Sequence, residues 1–273
     1  MTLPLSVAVI TKNEATRLAA CLASVSGLAD EVVVVDSGSS DGTVALAEAM
    51  GATVIVTDWP GFGVQKNRAV AACRNDWVLC LDADERLSPE LAASIRALLG
   101  GAPEATPAFT AYQFPRCNHF LGRYLRHGEG YPDWSLRLFD RRSARWSEDP
   151  VHETVRAAGP VGRLAGDLIH DSADRLENYL TKQNRYTSLA AQDARRQAVA
   201  GLALRMISSP LLRFVKFYFL RRGFLDGLPG LIHILIGCIN SFSKYAKRIE
   251  RQLDLAAARP NAAPAADRSP SSR

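Results

Sequence analysis

The chain has 273 residues, 47% of them hydrophobic, which is enough to bury a sizeable core and suits one large α/β domain, alone or with an appended element. A net charge of +5 points to phosphate, membrane surface or nucleic acid only where the charge is clustered. Cys21, Cys73, Cys80, Cys117 and Cys238 are odd in number and form no C-x-x-C, which excludes a zinc site and favours reduced, buried thiols in a cytosolic setting.

The N-terminal "MTLPLSVAVITKNE" lacks a basic region and a cleavage site, so its apolar run reads as a first strand over 5–11 rather than a signal peptide. Residues 14–25 follow with Leu18, Cys21, Leu22 and Val25 at helical spacing. Val32 to Val35 show no alternation, as expected of a strand buried on both faces of a parallel sheet. "SDGTVALAEAMG" predicts a helix capped by Ser40 or Asp41 and closed by Gly51. A third strand over 52–59, a third helix over 63–74 and a fourth strand over 76–85 complete an alternation that implies a covered, mostly parallel sheet. From 108 to 170 the runs are short and often alternating, which predicts strands joined by irregular loops. Residues 172–197 read as a long polar helix with Leu176, Tyr179, Leu180 and Gln183 on one stripe. Residues 253–273 are Ala-, Pro- and Ser-rich and are expected to be a disordered tail.

In open α/β sheets ligands bind beyond the carboxyl ends of the strands. Three polar clusters fall there: Thr11-Lys12-Asn13-Glu14, Asp36-Ser37-Gly38-Ser39-Ser40-Asp41 and Asp82-Ala83-Asp84. An acid closing strand two, here Asp36, also occurs in dinucleotide-binding proteins, but the loop "TKNEAT" has no glycine and so argues against such a cofactor. Asp41 has two readings, a ligand contact or simply a helix cap. Asp82 and Asp84 are expected to point to one side of a strand, where two carboxylates could hold a hard divalent cation and leave positions for phosphate oxygens.

"VAVITKNEATRLAACLASV", "VVVVDSGSSDGT", "GFGVQKNRAV" and "WVLCLDADER" resemble, in this order, the nucleotide-binding half of family 2 glycosyltransferases with the GT-A fold. The resemblance implies that Thr11, Asn13 and Glu14 line the base and ribose pocket, with Ser39 and Asp41 in the neighbouring cluster. It implies that Asp36 binds base or ribose, and that Asp82 and Asp84 meet the diphosphate and its Mg²⁺ or Mn²⁺. Lys66 and Asn67 match a helix start that faces the nucleotide in this family; exposed polar residues are the other reading. In the second half, "WSLRLFDRR", "PVHETV", "LIHDSADRLENYLTKQNRYT" and "FYFLRRGFLDGLPGLIHI" resemble small bacterial lipopolysaccharide core β-glucosyltransferases, which implies transfer of glucose from a UDP-sugar.

Inverting transfer needs a carboxylate to take the acceptor proton. "SEDPVHE" offers Glu148, Asp149 and Glu153; the resemblance favours Glu153, with Asp149 second, and a solvated turn accounts equally for Glu148 and Asp149. His152 and Glu153 alternate, so only one of them can face the crevice of a regular strand. His170 resembles the late histidine that supports metal or diphosphate, and a structural histidine is the competing reading. Arg137 and Arg185 could meet phosphate or lie on the surface, and Tyr131 and Trp134 could stack on an acceptor sugar or fill the core. The expected division is a nucleotide-sugar half over 1–105, an acceptor half over 106–200, a basic amphipathic segment over 201–252 and the tail.

Within that segment the longest uncharged stretch, Gly227 to Ser243, falls short of the ~20 apolar residues of a spanning helix, so it is expected to lie on an anionic membrane surface or to pack as ordinary helices. Its aromatics are mixed with Leu and Ile, which argues against nucleic acid. A lipid-linked glycan acceptor and a peripheral place on the inner face of the cytoplasmic membrane follow as expectations. The alternatives are a catalytically inactive scaffold of the same fold, a transferase using another sugar or acceptor, and a nucleotidyltransferase. The last would want a glycine-rich basic loop that this chain lacks.

Overall fold

The computed structural model describes residues 3–101, 107–149, 153–172, 175–192 and 198–257. The chain divides into two units, Met1–Ala173 and Asp174–Arg273.

In the first unit, β1 (Leu5–Thr11), β2 (Glu31–Asp36), β3 (Thr53–Val56) and β4 (Trp77–Asp82) run parallel in the order β3-β2-β1-β4. β1 is buried along its whole length, as its unalternating apolar run requires, while β3 is a short edge strand with mostly exposed residues. Helices α1 (Ala15–Val25), α2 (Thr43–Ala49) and α3 (Phe62–Ala72) fill the crossovers. A short strand, β5 (Glu85–Leu87), and helix α4 (Pro89–Leu99) follow. Helix α4 lies outside the sequence expectation, although Ser88 caps it by accepting from the Leu91 amide and Pro89 opens it. Leu18 and Leu22 of α1 and Leu91 and Ile95 of α4 share one apolar cluster with inward residues of β1 and β4. Ala69 and Val70 of α3 close a second cluster with Val33, Val78, Phe139 and Trp146.

The sheet continues as β4-β8-β6-β12-β5 through β6 (Ala111–Phe120), β8 (Asp133–Asp140) and β12 (Leu168–His170), now mostly antiparallel. Short strands β7 (Arg123–Tyr124) and β11 (Gly162–Arg163) pair with β6. A separate hairpin joins β9 (Ala144–Trp146) to β10 (Val155–Ala157). β12 pairs with both β5 and β6, placing His170 opposite Glu85 and Asn118. All five cysteines are free thiols.

Two local expectations are corrected here. The fourth strand ends at Asp82, and Ala83 and Asp84 form the turn into β5. The i, i+2 rule therefore does not apply to this pair, although both residues line the same cavity. The residue before α2 is Gly42, not Ser40 or Asp41. Asp41 still serves the helix start by accepting from the Thr43 amide at 3.0 Å. Gly51, at φ +83°, follows the helix end as expected.

The second unit holds α5 (Leu176–Ala191), α6 (Val199–Phe214), a π-helical turn (Val215–Leu220), a 3₁₀ turn (Gly223–Asp226) and α7 (Gly227–Ala257). The long polar helix expected over 172–197 is thus shorter, and α6 begins a few residues beyond it. Of the expected stripe only Leu180 is exposed; the inward side of α5 runs through Leu176, Tyr179 and Gln183 and continues to Thr187. Lys247 of α7 donates to Asn184, Thr187 and Ser188 of α5, and Asn240 donates to Gln183. The helical stretch Gly223–Ala257 is long and apolar enough to cross a membrane by length and composition, with 33% of its apolar window buried in the protein. The uncharged run itself, Gly227 to Ser243, is as short as expected, and the helix continues past the charged residues that bound it. Most of the tail, 258–273, lies outside the described residues.

Candidate functional site

A cavity of about 440 Å³ opens at the carboxyl ends of β1 and β4, lined by residues that include Thr11, Glu14, Asp82, Asp84 and His170, with Trp59 and Phe62 on its rim. The strand order makes the ends of β2, β1 and β4 neighbours, so the three polar clusters converge as the spacing predicts. Their contributions differ. Asp36 is fully buried and spent on its own turn: Oδ1 accepts from the Gly38 and Ser39 amides at 2.9 and 2.7 Å, and the Ser39 hydroxyl donates to Oδ2. Asn13, at φ +56°, takes the left-handed conformation that asparagine tolerates. Its amide donates to Ser39 Oγ and its side-chain oxygen accepts from the Ser40 amide, both at 2.8 Å. The loops after β1 and β2 are therefore locked together beside the cavity.

Glu14 is bound to Arg17 by 2.6 and 2.7 Å contacts. Burial pushes its carboxyl above the ordinary range, Arg17 works against this, and Asp84 and Asp41 add to the rise. Thr11 Oγ1 and Asp82 Oδ1 are buried without a hydrogen-bond partner, as expected of atoms awaiting a ligand.

Behind the cavity wall, an unbroken row of alternating charge begins at Glu153. Glu153 Oε1 lies 3.2 Å from Lys66 Nζ, and Lys66 Nζ lies 3.1 Å from Asp82 Oδ1. Arg137 Nη2 donates to Asp82 Oδ2 at 2.8 Å and to Glu85 Oε1 at 2.7 Å. Arg116 continues from Glu85 at 3.4 Å to Asp133 at 2.7 Å. Trp146 covers the centre, its ring 4.4 Å from Lys66 Nζ and 5.2 Å from the Arg137 guanidinium carbon. Burial alone would raise the Asp82 carboxyl, but Arg137 and Lys66 hold it well below the usual range. Arg137, despite burial, is held even more firmly protonated by Glu85 and Asp82. Cys80, against Trp146, is an inert thiol pushed by burial up to about 12.

The structure thus brings Asp82, Lys66, Arg137 and Glu153 together, and places Asp84 with His170: His170 Nε2 is 3.3 Å from Asp84 Oδ2, while Asn118 Oδ1 faces Nδ1 at 2.7 Å. Asn67 is instead consumed by β9, donating to the Trp146 carbonyl at 3.0 Å and accepting from its amide at 3.1 Å. Arg137 supports Asp82 from beneath Trp146 and is not among the residues lining the cavity. Asp149 is exposed and paired with Arg156 at 2.9 Å; the Ser147 hydroxyl and Arg156 hold its carboxyl below the ordinary range. Tyr131 donates to Asp167 at 2.8 Å, and the half-exposed Trp134 stacks with Arg163; neither lines the cavity. Arg185 is exposed on α5 in the other unit. His152 lies outside the described residues.

Sequence reasoning missed Glu85, Trp146, Arg116 and the rim pair Trp59 and Phe62. Glu85 reads as a solvated acid in "ADER" and becomes fully buried only because β5 pairs with distant β12. No three His, Cys, Asp or Glu side chains form a ready cage among the described residues. Asp84 and His170 nevertheless offer an oxygen and a nitrogen side by side, a set that suits a cation completing its shell with phosphate oxygens and water.

Comparison with known proteins agrees with this geometry. The family model for glycosyl transferase family 2 matches residues 6–159. An uncharacterized glycosyltransferase of Rickettsia felis is 34% identical over 260 residues, covering 91% of this chain and 90% of that one. The lipopolysaccharide core biosynthesis glycosyltransferase LpsC of Rhizobium meliloti is 30% identical over 266 residues, 95% of this chain and 96% of its own. Glucosyl-3-phosphoglycerate synthase from Mycobacterium tuberculosis, solved with Mn²⁺, UDP and glucosyl-3-phosphoglycerate, shares 29% identity at a TM-score of 0.34 over 41% of this chain and 43% of that one. With a mostly parallel sheet whose order places a polar crevice at its carboxyl edge, and with full-length relatives of one kind, the chain belongs to glycosyltransferase family 2 and has the GT-A fold.

Proposed function

We propose that the enzyme transfers a hexose, glucose foremost, from a UDP-sugar to a lipid-linked glycan, the lipopolysaccharide inner core, with inversion at the anomeric carbon. The observation that carries this reading is the meeting of Glu153 with Asp82 across Lys66, which brings an acid from the second half of the sheet domain to the end of β4. The acceptor oxygen attacks the anomeric carbon as the bond to the diphosphate breaks and its electron pair leaves with UDP. Glu153 takes the hydroxyl proton, and a single displacement inverts the centre. Thr11 and Glu14 line the donor cavity, and Asn13, Asp36, Ser39 and Asp41 hold its loops in shape. Mg²⁺ or Mn²⁺ held by Asp84 and His170 would neutralise charge developing on the leaving diphosphate.

The likeness to LpsC supports a lipopolysaccharide core acceptor. Attachment to the inner face of the cytoplasmic membrane is supported by Leu204, Leu211, Leu212, Phe219, Leu220 and Leu228, all at least 55% exposed, close in sequence to Arg213, Lys216, Arg221 and Arg222. The test is calorimetric binding of UDP-sugars with and without Mn²⁺, followed by product analysis on truncated lipopolysaccharide. Asp84→Ala should abolish the Mn²⁺ dependence of donor binding. Glu153→Gln should cut turnover by about 10²-fold or more while donor binding survives. Normal turnover in Glu153→Gln would remove Glu153 as the base.

A further inference from the structure

We infer that Lys66 is a positioning residue shared between the donor site and the catalytic base, so that donor arrival releases Glu153 for the acceptor; this rests on reading Glu153 as the base. Lys66 is only 4% exposed; on the same helix Gln65 is also buried and donates to Ser37, and Asn67 is bonded to the Trp146 backbone. Its ammonium lies 3.1 Å from Asp82 and 3.2 Å from Glu153, on the face of Trp146 and 5.9 Å from the Phe62 ring centroid. An ammonium has three donors and no acceptor, so it can serve both acids at once without preference. Asp82 Oδ1, its nearest acid oxygen, gains charge from it but no properly aimed hydrogen bond. The ammonium therefore bridges the two carboxylates, donating to Glu153 Oε1 at 3.2 Å and to Asp82 Oδ2 at 3.4 Å.

Asp82 and Phe62 both line the donor cavity, so a diphosphate seated there brings its negative charge within reach of the same ammonium. Phosphate oxygens make stronger, charge-assisted bonds and carry more than one charge. Lys66 turns to the diphosphate, and Glu153 loses its partner. Without donor, Glu153 stays tied to Lys66 and is not offered to a hydroxyl or to water. With donor bound, it is free to accept the proton.

The test measures UDP affinity by calorimetry, with and without Mn²⁺, in the wild type, Glu153→Gln, Lys66→Met and the double variant. If Lys66 is shared, Glu153→Gln releases it to the diphosphate and tightens UDP binding by about threefold or more, within the range of coupling inside one ion-pair network. The gain disappears in the Lys66→Met background. Lys66→Gln takes the place of Lys66→Met if that variant does not fold, and Lys66→Arg should retain the coupling. Unchanged UDP affinity in Glu153→Gln overturns the inference, even if turnover is lost and the base assignment stands. Tightening that persists without Lys66 is simple relief of repulsion and also overturns it. Tightening that depends on Lys66 alongside normal turnover in Glu153→Gln upholds the link and removes the base assignment instead.

Discussion

Arg137 is 5% exposed and bonds Asp82 and Glu85 at 2.8 and 2.7 Å. Glu85 is completely buried, with Arg116 beyond it at 3.4 Å as its other cationic neighbour. Replacing Arg137 with Met keeps much of the side-chain volume against Trp146 but leaves Asp82 to Lys66 alone and the buried Glu85 to the more distant Arg116. Breaking a buried pair by removing one partner costs about 3–5 kcal/mol, because the other charge is left uncompensated. For a domain of this size each kcal/mol moves Tm by roughly 2–4 °C, so Arg137→Met should melt about 6–20 °C below the wild type. Adding Glu85→Gln should return part of that loss, since the double variant buries one fewer unpaired charge. The assay is thermal and chemical unfolding of the three proteins at neutral pH. A single variant within about 1 kcal/mol of the wild type, or a double variant no more stable than the single one, would refute Arg137 as the counter-ion of this network.

Three further outcomes are expected. Gly63 lies where an added Cβ would stand 2.0 Å from the Ser147 carbonyl oxygen, so Gly63→Ala should push α3 from β9, weaken the Asn67–Trp146 pair and lower kcat along with Tm; an unchanged Tm would show that the backbone yields freely. The Asp82 carboxyl is held low in the folded protein, so its contribution to stability is present above the unfolded value near pH 3.9 and is lost as pH falls through the depressed folded value. In Asp82→Asn, stability measured between about pH 5 and pH 2 should accordingly fall less steeply than in the wild type. The protein should sediment with anionic liposomes at low salt, where each basic residue near the surface contributes about 1 kcal/mol, and replacing Arg213, Lys216, Arg221 and Arg222 with Glu should release much of it. Wild-type protein left in the supernatant would end the membrane reading.

What local patterning can show, the chain shows. The unbroken apolar runs of β1, β2 and β4 mark central parallel strands, and the acids and hydroxyls at their ends mark the crevice. Helix α4 is equally legible in Ser88-Pro89-Glu90, which supply a cap, a first-turn proline and a first-turn acid. Pairings between distant residues were not legible. Lys66 and Glu153 stand 87 positions apart, and Glu85 and His170 meet only when β5 joins β12. The i, i+2 geometry expected of Asp82 and Asp84 failed for a related reason: pairing of β5 with β12 follows a turn at Ala83 and Asp84, and no alternation reveals where a strand yields to a turn. The π-helical turn after α6 likewise has no marker in a run as uniformly apolar and basic as 213–222.

The alternating row from Glu153 to Asp133 begins and ends with an acid: Glu153, Asp82, Glu85 and Asp133 set four negative charges against the three positive ones of Lys66, Arg137 and Arg116. The row behind the cavity wall, which reaches the cavity only at Asp82, is consequently no standing trap for anions. Inorganic phosphate or a nucleoside monophosphate meets cations already committed to carboxylates and must break an ion pair for little return. Breaking one of these pairs is repaid only to a ligand that also engages the residues lining the cavity, Lys12 among them, so the charge order of the row favours ligands that span several parts of the site.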